Sequence, residues 1–413
     1  GDGRTDAALA TLHPLLEGQR FRGIFALHSA LIADVGGRQD DAAELYRVAQ
    51  SEMQGTNLRL AQMLATWQMR TGHETEAQQT FAALAETAPD LGIVVPALQA
   101  GVGKRPIDSA TDGLAEAYLA LGAALQAQDS KDLAMVMLQL ALDLRADFVP
   151  ARLLASDILS SERHDPAALQ MIALVPDNDP LSPVIRLRRA FITDKLGHTA
   201  EALRDLNRLG AEFPESVAPV TQQGDILRGR QRYPEAIAAY THALARIPGP
   251  GASQWAIYYA RGIAYERSRQ WPSAEADLRH ALELAPDQPS VLNYLGYSWA
   301  DMGQHLPEAR RMIQKAVDRR PNDGALTDSL GWVMLRQGEV GNAVRTLEQA
   351  VELDPEDSTV NSHLGDAYWA AGRKLEAQYQ WRRALTLNPA PDDVAKLEAK
   401  LQSPPKSAII SGQ

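Results

Sequence analysis

Residues 324–391 decide the fold. They form two lines of equal length, GALTDSLGWVMLRQGEVGNAVRTLEQAVELDPED (324–357) and STVNSHLGDAYWAAGRKLEAQYQWRRALTLNPAP (358–391). Aligned without a gap, the lines share small residues and a closing proline: Gly331 with Gly365, Ala343 with Ala377, Ala350 with Ala384, and Pro355 with Pro389. Small residues at fixed positions let two antiparallel helices approach closely, while the other apolar residues follow the helical period. Because the closing proline cannot continue a helix, each line predicts one helical hairpin.

The same pattern returns along most of the chain. Clear copies are anchored at Gly224, Gly262 and Gly296, and weaker copies lie upstream, for example at Gly122 and Ala190. We count about ten units, which begin near residues 23, 58, 115, 148, 183, 217, 255, 289, 324 and 358. A period of about 34 residues with these residue types resembles the tetratricopeptide repeat. The resemblance predicts an all-α protein, a right-handed α-solenoid of about ten such hairpins.

The repeats divide the chain into segments of different regularity. The predicted segments are a leading helix or truncated repeat (1–22), two degenerate repeats (23–89), an irregular insertion (90–114), three degenerate repeats (115–216), five well-formed repeats (217–391), a capping helix (392–402) and a flexible tail (403–413). A terminal helix with a polar outer face is what the last repeat of a solenoid requires.

The insertion contains an apolar run, Leu91-Gly-Ile-Val-Val-Pro96, and a glycine-rich run, Gly101-Val-Gly-Lys104. Two interpretations are open: a short helix or loop that lies on the solenoid, or an element that binds a partner. A phosphate-binding loop is excluded, because Leu98 stands where its first glycine is required and Arg105 follows Lys104 in place of Ser or Thr.

Composition and charge exclude several classes of function. The formal net charge is -11, which opposes binding to a nucleic-acid backbone or an anionic membrane surface. The chain has no cysteine, so disulfides and thiolate metal sites are absent. It also lacks a run of about 18 apolar residues, so we expect no direct membrane insertion by this chain.

The chain shows no arrangement of residues typical of catalysis. Its 9 histidines are scattered over different repeats, and acidic pairs such as Asp40-Asp41 and Asp392-Asp393 fall at turns or helix ends. We therefore predict a protein that is not an enzyme and has no cofactor and no metal site. Protein or peptide ligands are the expected partners.

The concave face of the solenoid is the predicted binding site. In tetratricopeptide repeats the inward positions lie six and three residues before, and one, four and five residues after, the small residue of the first helix. The partner-binding residues predicted in this way are Tyr259, Glu266, Arg267, Asn293, Tyr297, Asp301, Asp328, Trp332, Arg336, Ser362, Asp366 and Trp369. Aromatic rings flanked by hydrogen-bonding groups suit peptide recognition. The alternative is that Trp332 and Tyr297 pack against neighbouring repeats, as we expect of Trp299 and Trp381.

Two basic sets offer a second surface. They comprise Arg186, Arg188 and Arg189, and Arg310, Arg311, Lys315, Arg319 and Arg320. They are either solvated helix faces or docking patches for an acidic partner, whose binding would depend on salt. The chain does not reproduce the carboxylate clamp of some tetratricopeptide domains, because Asn293 lacks the accompanying Lys and second Asn.

Three motifs carry a closer resemblance: VLNYLGYSWAD (291–301), DSLGW (328–332) and HLGDAYW (363–369). They resemble exported bacterial tetratricopeptide proteins, including the outer-membrane lipoprotein that activates a periplasmic carboxyl-terminal processing protease and delivers substrates to it, often cell-wall hydrolases. The resemblance implies a periplasmic adaptor, anchored to the outer membrane in its full-length form. The chain begins Gly1-Asp2-Gly3 and has no lipid-bearing cysteine, so we expect a mature or trimmed form. The alternatives are a cytoplasmic location and a structural assembly scaffold that binds through convex patches.

Overall fold

The computed structural model describes residues 5–18, 21–53, 57–247 and 251–403. Within these ranges all regular secondary structure is helical, and the chain divides into two compact units, Gly1–Ser253 and Gln254–Gln413. None of the described helices combines the length and the hydropathy that crossing a bilayer demands.

Unit 1 contains fourteen described α-helices. They are α1 (Thr5–Leu16), α2 (Arg22–Val35), α3 (Gln39–Glu52), α4 (Leu58–Arg70), α5 (Glu74–Thr87), α6 (Val95–Gly101), α7 (Ala110–Ala127), α8 (Lys131–Leu144), α9 (Val149–Ser161), α10 (Asp165–Ala173), α11 (Ser182–Lys195), α12 (Thr199–Glu212), α13 (Ala218–Gly229) and α14 (Tyr233–Ala245). A 3₁₀ helix, Leu91–Val94, precedes α6, and a second one spans Ala252–Gln254.

Unit 2 contains the remaining nine described helices. They are α15 (Trp255–Arg267), α16 (Trp271–Leu284), α17 (Pro289–Asp301), α18 (Leu306–Arg319), α19 (Gly324–Arg336), α20 (Val340–Leu353), α21 (Ser358–Ala370), α22 (Lys374–Thr386) and α23 (Pro391–Gln402). Ten hairpins result from the described helices of the two units, six in unit 1 (α2/α3, α4/α5, α7/α8, α9/α10, α11/α12 and α13/α14) and four in unit 2 (α15/α16 to α21/α22). The predicted all-α fold of about ten hairpins is confirmed.

Close helix contacts explain the constant spacing of small residues within the repeats. A Cβ added to Gly331 would lie 2.5 Å from Leu347 Cγ, and one added to Gly365 would lie 2.5 Å from Trp381 Cδ1. Glycine therefore lets the second helix of each hairpin lie directly on the backbone of the first. The turns after these two first helices contain Gly338 and Gly372, whose φ angles of 82° and 79° favour glycine.

A continuous core runs through the hairpins of unit 2. Trp299 and Trp381 are fully buried in it, as predicted. The last described helix of the unit is α23, whose Leu397 is also buried in this core. Of the predicted tail, residues 404–413 lie outside the described residues.

The insertion, which belongs to unit 1, folds into helices that pack against other helices of the same unit. The 3₁₀ helix contacts α11 and α13, and Ile93, Val94 and Leu98 are buried in the same cluster as Leu187 and Ile226 of those helices. The apolar run therefore forms part of the core of unit 1.

Helix α7 begins at Ala110, inside the range 90–114 that was predicted to be irregular. The reason is a capping box: Ser109 Oγ accepts a hydrogen bond from the Asp112 amide at 3.1 Å, and the Asp112 carboxylate accepts one from the Ser109 amide at 3.0 Å. The cap fixes the start of the helix earlier than the repeat spacing indicates.

Candidate functional site

The predicted binding residues of unit 2 all lie on its first helices, α15, α17, α19 and α21, and we call this surface the first-helix face. Arg267 and Asp301 are exposed on it. Seven more are partly exposed: Tyr259, Glu266, Asn293, Tyr297, Arg336, Ser362 and Trp369. The face therefore presents both aromatic rings and hydrogen-bonding groups to its surroundings.

Three of the predicted residues are buried, so the expectation that they are exposed is wrong. Asp328, Trp332 and Asp366 are only 4%, 6% and 3% exposed. For Trp332 the cause is His363 on the next first helix, whose imidazole stacks on the indole with ring centroids 4.3 Å apart. The alternative interpretation, that these rings pack against neighbouring repeats, is thus correct for Trp332. It also holds in part for Tyr297, which packs against the same core with its ring centroid 6.2 Å from that of His363 and keeps partial exposure.

His363 and Asp328 form a buried pair that joins α21 to α19. His363 Nδ1 lies 2.8 Å from Asp328 Oδ2. Burial alone would lower the pKa of His363, but the charge and hydrogen bond of the Asp328 carboxylate outweigh burial and hold this pKa above its usual value. The Asp328 carboxylate thus favours the charged form of the imidazole, and the contact fixes the ring that stacks on Trp332.

Asp366 connects the first-helix face to the capping helix. Its carboxylate accepts hydrogen bonds from Trp381 Nε1 at 3.0 Å and from Lys400 Nζ at 2.7 Å. Lys400, on α23, also donates to Ser362 Oγ at 3.3 Å. Because a buried carboxylate is stable only when paired, these contacts hold α23 against α21.

A group of tyrosines forms the other end of the face. The rings of Tyr259 and Tyr294 meet edge to face at 5.8 Å, and the Tyr294 hydroxyl donates to Glu266 at 3.0 Å. Burial, and then the carboxylates of Asp301 and Asp328, raise the pKa of Tyr297. The Tyr297 phenol is therefore neutral near pH 7 and retains a proton to donate.

Two polar atoms of the face have no hydrogen-bond partner within the described part of the chain. They are Trp332 Nε1, a donor, and Asn293 Oδ1, an acceptor. Unsatisfied buried polar atoms are rare and costly in folded proteins.

Sequence reasoning missed Tyr294 and His363. Both lie two residues before the small residue of their repeat, Gly296 and Gly365, and both reach back to the preceding first helix. In unit 1, Gln222 lies two residues before the small residue of its own repeat and donates to a backbone carbonyl of α11 at 2.7 Å. A polar or aromatic residue two positions before the small residue of a first helix was therefore the signal that could have identified the contacts between repeats.

The two basic sets are largely neutralised by contacts within the chain. The pairs are Arg310 with Glu339, Lys315 and Arg319 with Asp287, Arg186 with Glu212, and Arg188 with Asp157. Arg189, Arg311 and Arg320 are exposed.

Among the described residues, no group of three or more His, Asp or Glu side chains has a geometry that could hold a metal ion.

Comparisons with known proteins agree with the repeat pattern. The family model of the tetratricopeptide repeat matches residues 259–324 and 329–392. A TPR repeat-containing protein of Pseudomonas aeruginosa is 33% identical over 211 residues, which are 50% of this chain and 35% of that protein. Bacteriophage adsorption protein A of Escherichia coli is 37% identical over 79 residues, 19% of this chain and 8% of that protein. The chain thus spans about a third or less of the length of these relatives.

Among solved structures, the hetero-tetramer Cut9-Hcn1 of the APC/C is similar in fold. It is 14% identical, with a TM-score of 0.50, and the match covers 97% of this chain and 93% of that chain. Residues 259–324 and 329–392 are therefore tetratricopeptide repeats, and the described part of the chain is an all-α fold of helical hairpins.

Proposed function

We propose that this chain is a non-enzymatic protein-binding scaffold and that the first-helix face of unit 2 holds a polypeptide segment of its partner. The observation that carries the proposal is the partly exposed row of aromatic and polar side chains on successive first helices, with Tyr297 at its centre. Tetratricopeptide repeats are in general interaction scaffolds that bind proteins or peptides. Large rings with few rotamers supply contact area at a low cost in conformational entropy.

Unit 1 supports this mode of binding with a segment of its own. The helical insertion places Ile93 and Val94 in one buried cluster with Leu187 of α11, which lies three residues before the small residue Ala190. This is a first-helix position equivalent to that of Asn293 in unit 2. The chain therefore contains an example of a short apolar segment seated on first helices.

The mixed charge of the face in unit 2 favours a polar ligand over a purely apolar one. Glu266 and Asp301 lie on the same face as Arg267 and Arg336. Such a surface matches the alternating donors and acceptors of a peptide backbone, and its charges select the ligand's register.

We propose more specifically that the partner is a carboxyl-terminal processing protease, or the cell-wall hydrolases that such a protease cuts, and that the protein works in the periplasm. The support is the likeness of residues 291–301, 328–332 and 363–369 to exported bacterial adaptors. In this role the repeats bring an enzyme and its substrates together, and an outer-membrane anchor would belong to the full-length protein.

Affinity capture from envelope extract tests the proposal. The parent chain is compared with Tyr297→Ala/Asp301→Lys, which changes the face and keeps the buried Trp332, and with Tyr379→Ala as control; circular dichroism checks that each variant is folded. Tyr379 is 64% exposed and lies on the second helix α22. We expect the parent and the control to retain a processing protease or a hydrolase, and the face variant to lose it. Equal retention by all three proteins would place the binding site elsewhere.

A further inference from the structure

Hairpin α7/α8 of unit 1 exposes an unusual amount of apolar surface. On α8, Leu133 and Val136 are 56% and 52% exposed, and Leu140 and Leu144 are also exposed. On α7, Leu114 and Leu121 are exposed as well. Together these six large aliphatic side chains expose on the order of 500 Å² of apolar surface, a large amount for one hairpin.

The exposed leucines of the two helices lie on the same side of the hairpin. Contact between the helices is marked by Gly122, where an added Cβ would lie 3.1 Å from Leu138 Cγ. Four of the exposed leucines come one residue before a buried residue: Leu114 and Leu121 on α7, and Leu133 and Leu140 on α8. One residue is a rotation of about 100°, and since the helices are antiparallel, the two rotations point to one common side.

Both helices carry the residue spacing of a helix-bundle seam on this side. The steps are four, three and four residues in each helix, and the seam residues are Leu114, Tyr118, Leu121 and Leu125 on α7 and Leu133, Met137, Leu140 and Leu144 on α8. This is the spacing at which helices pack knobs into holes. None of the eight residues is charged, which disfavours a partner recognised by salt bridges.

We propose that two copies of this chain associate through the α7/α8 faces and form an antiparallel four-helix bundle across a two-fold axis. A two-fold axis places each seam opposite an antiparallel seam of the other copy, so a surface with matched seams on both helices is complementary to itself. Two such faces would bury on the order of 1,000 Å², the lower limit for a specific interface. The surface lies in unit 1 and is independent of the peptide-binding proposal for unit 2.

Sedimentation equilibrium of the full chain tests this proposal. We expect the parent to have twice the chain mass, and Leu133→Glu/Leu140→Glu to weaken dimerisation at least about 100-fold, because each substitution places a charge in the interface. The matched control is Leu375→Glu/Tyr379→Glu on α22, whose residues are 81% and 64% exposed. We expect the control to dimerise like the parent.

Leu133→Ser serves as a milder variant, and circular dichroism checks that each variant is folded. All substituted positions are exposed, so the core should be unaffected. A parent that stays monomeric at concentrations on the order of 100 μM would overturn the proposal, as would α7/α8 variants that dimerise as tightly as the parent.

Discussion

Replacing Trp381 should lower the free energy of unfolding of unit 2 by an amount that follows from the burial and the hydrogen bond of its side chain. Trp381 is fully buried, its ring lies against the backbone of α21 at Gly365, and its Nε1 donates to the buried Asp366 carboxylate at 3.0 Å. Removing a buried aromatic ring costs about 3–5 kcal/mol. Loss of the hydrogen bond adds about 1 kcal/mol, because among the described residues Asp366 then keeps only Lys400 as a hydrogen-bond partner. For Trp381→Ala we expect a loss near the top of that range.

Urea unfolding followed by far-ultraviolet circular dichroism measures this loss, with two comparisons. Trp381→Phe keeps most of the ring and removes the donor, so we expect it to lose about 1–2 kcal/mol. Tyr379→Ala, on the same helix but exposed, should change the free energy of unfolding by less than about 0.5 kcal/mol. The packing argument is refuted if Trp381→Ala loses less than about 1.5 kcal/mol, or if the exposed variant loses as much.

Three further predictions follow from burial and charge. The pKa of His363 is raised in the folded chain, so its contribution to stability is complete below the unfolded value of about 6.5 and is lost as pH rises through the folded pKa. The stability advantage of the parent over His363→Asn, measured by urea unfolding, should therefore shrink as pH rises above about 6.5, and a constant difference would argue against the ion pair with Asp328. Charge reversal by Arg311→Glu should leave partner capture unchanged, whereas a marked loss would favour a scaffold that binds through its basic patch. Helix α1 has no buried residue, so its amides should exchange with deuterium before those of α19, and equal protection would contradict this.

The sequence predicted the hairpins well because their signal is local and repeated. Gly331 and Gly365 mark close helix contacts that a Cβ would prevent, and such contacts leave a fixed spacing in the sequence. The complete burial of Trp299 and Trp381 followed from the same spacing. Close helix contacts and burial within one hairpin depend on the sequence of that hairpin alone. They can therefore be predicted without knowing how successive hairpins stack.

Contacts between successive repeats were harder to predict. The inward positions of the tetratricopeptide repeat placed Trp332 on the first-helix face. Its burial depends on His363, which belongs to the next repeat and is not at one of those inward positions. The start of α7 depended on the Ser109 cap, which has no counterpart in the repeat pattern. The insertion could be recognised as apolar, but the surface on which it packs belongs to α11 and α13, several hairpins further along the chain.

Site-specific photo-crosslinking tests the central claim, that the first-helix face of unit 2 binds a polypeptide, most directly. A photoreactive amino acid is placed at position 297 on the face or at position 379 on the second helix of the same unit, and adducts formed in the native cell are identified by mass spectrometry. We predict adducts with a partner protein at position 297 and none with that partner at position 379. The same adduct at position 379 and its absence at position 297 would contradict the account.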